Sequence, residues 1–103
     1  MKRVYICSPL KGNIQRNIAE ACRHCRSAIL SGVIPIAPHL YFTQFLDDTV
    51  AAERGIGVAA GLEMLTLCEE VWVYGAESEG MKAEIAVAKM MGIPVRYKGW
   101  SEA

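Results

Sequence analysis

The sequence predicts a single small α/β domain on a parallel sheet, and three observations predict it. Short apolar runs alternate along the chain with longer stretches of helical periodicity. Glycine, proline or serine stops almost every run. The 103 residues are enough for one domain, taken as 1–103, and not for two. Strands alternating with helices imply right-handed crossovers, so the strands run parallel and both sheet faces are covered.

Val4 to Cys7 reads as a short buried strand, ended by Ser8-Pro9 and Gly12. A helix follows from about Asn13 to Leu30. Its inward face is read as Ile14, Ile18, Ala21, Cys22, Cys25 and Ile29, with Gln15, Arg16, Glu20, Arg23 and Arg26 on the other side. Ser31-Gly32 stops it, and Val33 to Ala37 forms a second strand that Pro35 assigns to a sheet edge. Between Pro38 and Arg54 the pattern is mixed. Leu40 to Leu46 fits a short helix, and Asp47-Asp48-Thr49 fits the cap of the next one, which runs to about Cys68. Val58, Leu62 and Leu65 are expected to face inward there. Gly55, Gly57 and Gly61 each cost about 1 kcal/mol against alanine in a helix interior. Ala51, Ala52, Ala59 and Ala60 suit close packing, a second subunit being one partner for it. Glu70 to Tyr74 is the third strand, Ser78 to Met91 a helix and Ile93 to Tyr97 the fourth strand, with a frayed end after Lys98. The expectation is a three-layer, flavodoxin-like domain with strand order 2-1-3-4. Its switch point lies between the first and third strands, where open α/β sheets take ligands.

Composition narrows the function. The chain is 52% apolar and 21% charged, an ordinary globular balance. Eleven basic residues offset eleven acidic ones, which argues against nucleic-acid coating or an anionic-membrane role. No apolar run reaches the roughly 18 residues of a membrane span. The apolar stretch after Lys2-Arg3 is short for a signal peptide. The expected location is the cytoplasm, with Cys7, Cys22, Cys25 and Cys68 as reduced thiols.

Among residues able to carry chemistry, Glu84 stands out. Met81, Ile85, Ala88 and Met91 define one apolar arc of the last helix, Lys82 and Lys89 lie roughly opposite, and Glu84 falls inside the arc. A carboxylate there is desolvated, paired or used. Its plainer alternative is a glutamate that reaches solvent or pairs with arginine. Ser78-Glu79-Gly80 opens that helix: Ser78 suits an N-cap, and the free amides suit an anion. Ser8-Pro9-Leu10-Lys11-Gly12 follows the first strand as a sugar or phosphate loop or as a plain turn, and lacks the GxxxxGK[ST] pattern. Gly55-Ile56-Gly57-Val58-Ala59-Ala60 has the GxGxxA spacing of dinucleotide sites, but no strand precedes it, so that reading is rejected. Cys22-Arg23-His24-Cys25 lacks two further ligands for zinc and sits mid-helix, both sulfurs on the inner face, so packing is favoured. His39, Tyr41, Phe42 and Phe45 suit either a lid over a base or a satellite core or dimer contact.

Taken together, Val4 to Gly12, Gly32 to Pro38, and Ser78-Glu79-Gly80-Met81-Lys82-Ala83-Glu84-Ile85 through Gly92-Ile93-Pro94-Val95 resemble the nucleoside 2-deoxyribosyltransferase-like superfamily, above all its small bacterial and phage members. The resemblance implies a Rossmann-like oligomer that cleaves the N-glycosidic bond of a deoxynucleoside or its 5′-monophosphate, with no metal or cofactor. Glu84 matches the nucleophile of the S-x-G-x-x-x-E stretch. Tyr5, Ser8, Pro9, Lys11 and Gly12 match the loop that holds sugar or phosphate, and Ser78, Gly80 and Met81 complete that pocket. Those enzymes carry aspartates before and within the helix preceding the third strand. The corresponding position here is Gly61, which leaves Glu63 and His39 as candidates to assist the departing base. Three functions follow: a glutamate-dependent N-glycosidase or deoxyribosyltransferase, a nucleotide-binding module without chemistry, or a structural oligomeric subunit. A homodimer is expected, since a four-stranded sheet leaves open edges and small chains gain from association.

Overall fold

Three parallel registers tie four strands into one sheet in the computed structural model, which describes residues 1–99. The strands β1 (Arg3–Cys7), β2 (Ile34–Ile36), β3 (Glu70–Val73) and β4 (Val95–Tyr97) are ordered β2-β1-β3-β4, as the sequence predicts. Tyr5 stands between Ile36 and Val71, and Val73 pairs with Tyr97. Pro35 does lie on an edge strand, where its missing N–H does no harm. The frayed end expected after Lys98 lies, from residue 100 on, outside the described residues.

Period-two alternation along β1 divides the core. Val4 and Ile6 pack on one face with Ala28 and Tyr74. Tyr5 and Cys7 point to the other face, where they meet Leu65, Met81, Ile85 and Ala88. Helix α1 (Ile14–Leu30) covers the first face; α3 (Ala51–Leu65) and α4 (Glu79–Met90) cover the second, and α2 (Pro38–Phe42) contacts both α1 and α3. Asn13 caps α1, its side chain accepting from the Arg16 amide at 3.1 Å. No helix among the described residues is long and apolar enough to cross a membrane.

Several expectations need correction. The buried stripe of α1 is Ala21, His24 and Ala28, rotated from the predicted face, because His24 stacks on Tyr74 with ring centroids 3.9 Å apart. Cys22 is consequently exposed and Ile29 is 51% exposed, so the two sulfurs do not share an inner face. The short helix begins at Pro38, whose fixed φ suits a first turn, and ends at Phe42. Asp47 does not cap α3; its carboxylate accepts from the Thr49 amide and hydroxyl in a local turn, and α3 starts at Ala51 with no side-chain cap. Val58 is 57% exposed rather than buried, and Met91 is 51% exposed.

At the amino end of β3, Glu70 is 5% exposed and gathers donors from three strands' ends. It accepts from Lys2 Nζ at 2.8 Å, Trp72 Nε1 at 2.8 Å, and Arg96 Nε and Nη2 at 3.0 and 3.3 Å. Hydrogen bonds from Arg96, then Lys2 and Trp72, hold its carboxyl down at about 2.

Candidate functional site

At the opposite end of the sheet, the segments that follow β1, β2 and β3 surround a cavity of about 450 Å³. Ser8 and Lys11 come from the first, Pro38, His39 and Phe42 from the second, and Ser78, Gly80 and Met81 from the third. Gly57, Val58 and Gly61 of α3 complete the wall. This is the carboxyl end of the strands beside the switch point between β1 and β3, where open parallel sheets bind ligands.

Glu84 is half-buried in this wall. Its Oε2 accepts from the Tyr5 hydroxyl at 2.7 Å and its Oε1 from the Cys7 thiol at 3.3 Å. Both donors come from the same face of β1, two residues apart, so the strand's own repeat sets them on the two carboxylate oxygens. Neither donor is charged. Burial raises the Glu84 pKa, while the hydrogen bonds from Tyr5 and Cys7 pull it back down. Burial first, and the neighbouring Glu84 second, push the Tyr5 phenol and the Cys7 thiol far up, so both stay protonated as donors.

The same wall holds polar atoms with spare capacity. Ser8 Oγ and His39 Nε2 are buried and have no partner among the described residues. Burial lowers the His39 pKa and nearby Asp48 opposes that shift, leaving the ring neutral at pH 7. Ser78 caps α4 as predicted, accepting from the Met81 amide at 3.3 Å. The first-turn amides of Glu79 and Gly80 have no acceptor within the helix, and both residues line the cavity.

The structure thus brings Tyr5, Ser8, Lys11, His39, Ser78, Gly80, Met81 and Glu84 to one cavity. It leaves out Pro9, Gly12 and Glu63. Gly12 forms the exposed turn at φ +97° that ends the β1 loop. Glu63 is exposed because two residues along a helix turn it roughly 200° from Gly61, away from the cavity. Sequence reasoning missed Cys7 as a partner of Glu84, and Asp48, Glu53, Arg54 and Gly57 of the wall, and it read Gly61 as the position of the family's aspartates rather than as wall. For Cys7 the signal was present, two positions after Tyr5 on one strand face. Glu53 ties down the segment before α3, its Oε1 accepting from the Asp47 amide at 2.7 Å. Of the predicted aromatic group, Phe42 joins the wall, while Tyr41 and Phe45 are each 59% exposed and pack edge-on at 5.1 Å.

The family model described as a domain of unknown function, DUF7768, matches residues 2–98. No curated protein matches the sequence. Among solved structures, a 2-deoxyribosyltransferase from the psychrotolerant bacterium Bacillus psychrosaccharolyticus superposes with a TM-score of 0.69 at 15% identity. The match covers 98% of this chain and 75% of that one, and shows a shared fold.

Proposed function

We propose that this chain, which belongs to the DUF7768 family, is an N-glycosidase or deoxyribosyltransferase acting on a nucleoside or nucleoside 5′-monophosphate with Glu84 as nucleophile. One observation carries the reading: a desolvated carboxylate, held on both oxygens by the neutral donors Tyr5 and Cys7, faces a cavity at the carboxyl ends of the strands. The fold shared with a 2-deoxyribosyltransferase supports it.

In the first step a Glu84 oxygen bonds to C1′ as the C1′–N bond breaks, through an oxocarbenium-like transition state. The base leaves with the electron pair and takes its proton from water in the open cavity. In the second step water, or a nitrogen of another base, attacks C1′; the Glu84 carboxylate departs and the attacking group's proton passes to solvent. Tyr5 and Cys7 orient the carboxylate. Ser8, Lys11, Ser78 and Gly80 hold the sugar or its 5′-phosphate, the unpartnered Ser8 hydroxyl finding an oxygen there. Neutral His39 hydrogen-bonds the departing base, which lies along Phe42. The proposal includes a homo-oligomer, because Tyr41, Phe45 and Ile56 stand 59%, 59% and 61% exposed.

The test is incubation with deoxynucleosides and their 5′-monophosphates, free base being followed by chromatography, with Glu84→Ala alongside. Release by the wild type and not the variant establishes the chemistry and the nucleophile. Ligand-induced rises in melting temperature without release by either protein mark a binding module instead.

A further inference from the structure

We infer that the missing side chain of Gly61 makes room for a 2′-hydroxyl beside Glu84, so the site takes ribonucleosides or ribonucleotides as well as their 2′-deoxy counterparts. The inference rests on the proposed role of Glu84. A nucleophile that displaces the base of a β-nucleoside attacks from the face opposite the base. In a ribonucleoside the 2′-hydroxyl projects from that same face. It therefore arrives within hydrogen-bonding reach of the carboxylate, where glycosidases commonly gain transition-state stabilisation.

The surroundings of the carboxylate decide whether such a group fits. On the Oε1 side the way is closed by Cys7, which is 0% exposed. On the Oε2 side stands the Tyr5 hydroxyl, and next to it comes Gly61. A Cβ at Gly61 would lie 3.8 Å from that hydroxyl and 3.4 Å from Pro38 Cβ. A methyl group fits there at ordinary contact distance, and on this inference it takes the volume a 2′-hydroxyl would enter.

The glycine has no backbone reason to be there. Gly61 lies inside α3 and is not among the residues with positive φ, so any residue could adopt its conformation. Helix propensity disfavours glycine at such a position. Without a Cβ, the buried Gly61 lets Pro38 come close and leaves the Tyr5 hydroxyl uncovered on that side. Gly57, one turn earlier, extends the same wall. Independently, Ser8 is a residue of the cavity wall only 6% exposed, and its hydroxyl has no partner among the described residues. A buried hydroxyl left open in that way points to an oxygen-rich ligand.

The experiment compares wild type with Gly61→Ala against matched pairs: adenosine and 2′-deoxyadenosine, and their 5′-monophosphates. Dissociation constants come from calorimetry, and base release is followed in parallel. Wild type should bind ribo and deoxy members within about tenfold of each other. Gly61→Ala should weaken the ribo members about tenfold or more and the deoxy members less than twofold, with a melting temperature at or above wild type. That selective loss supports the inference even if no base is released, in which case only the catalytic reading falls. Equal effects on both members, or a wild type that binds only deoxy members, overturn the inference while base release from deoxy substrates still upholds the reading. Failure of the wild type to bind any member overturns both.

Discussion

Two glutamates, Glu70 buried at one end of the sheet and Glu84 half-buried at the other, both accept hydrogen bonds from strand residues and are otherwise opposites. Glu70 at the amino end is surrounded by Lys2, Arg96 and the Trp72 indole, and its pKa falls to about 2. Glu84 at the carboxyl end has, among the described residues, a phenol and a thiol as its hydrogen-bond donors, and its pKa rises. At Glu84 desolvation outweighs the two neutral donors, whereas at Glu70 the hydrogen bonds from Arg96, Lys2 and Trp72 outweigh it. A carboxylate met by cations is a fastener. One that is desolvated and held by neutral donors keeps its affinity for an electron-poor carbon, and it sits where a ligand can reach it.

The largest effect should separate these roles. Glu84→Gln is expected to reduce base release by about a thousandfold or more, with an unchanged or higher midpoint of urea unfolding. Glu70→Gln should do the reverse, losing about 1–3 kcal/mol of stability while base release per folded molecule stays within about twofold. A comparable loss of activity in the Glu70 variant would break the distinction.

The pH dependence of stability sharpens it. The folded pKa of Glu70 lies below its unfolded value, so its contribution is present above about pH 4.5 and fades as pH falls toward about 2. The folded pKa of Glu84 lies above its unfolded value, so its ionisation removes stability as pH rises past about 4.5. Urea titrations from acid to neutral pH should show Glu70→Gln flattening the acid-side loss and Glu84→Gln flattening the decline on the other side.

Smaller still is Tyr5→Phe. A hydrogen bond to a charged group is worth about 1.5–3 kcal/mol, so base release should fall about 10- to 100-fold. With one donor gone, the acid limb of the pH–rate profile should move to higher pH; an unmoved limb would mean Tyr5 only packs. The smallest change is Arg96→Met. Arg96 is one of three donors to Glu70 and its side chain is 57% exposed, so the unfolding midpoint should drop by less than in Glu70→Gln.

The two glutamates were not equally legible in the sequence. Glu84 betrays itself through helical periodicity, which depends only on neighbours a few residues away. The Ser78 cap was readable for the same reason, whereas the strand order, a property of the whole sheet, rested on the expected fold class. Glu70 looks like one more strand residue, because its partners come from residues 2, 72 and 96 and meet only once the register is set. The α1 face went astray because a histidine, polar by composition, is buried through stacking on Tyr74. Glu63 was a fair substitute by sequence distance and a poor one by angle. The glycines of α3 read as defects until the cavity beside them was in view.

Those glycines also set a rhythm for the molecule. Helix α3 starts without a side-chain cap, carries Gly55, Gly57 and Gly61, and leaves Ile56 and Val58 largely in solvent. Helix α4, on the same face, is capped by Ser78 and buries Met81, Ile85 and Ala88. Local opening is therefore expected to start at α3, and hydrogen exchange should show its amides exchanging ahead of those in α4. With that order of opening, the wall nearest the proposed sugar site would give way before the helix that bears Glu84.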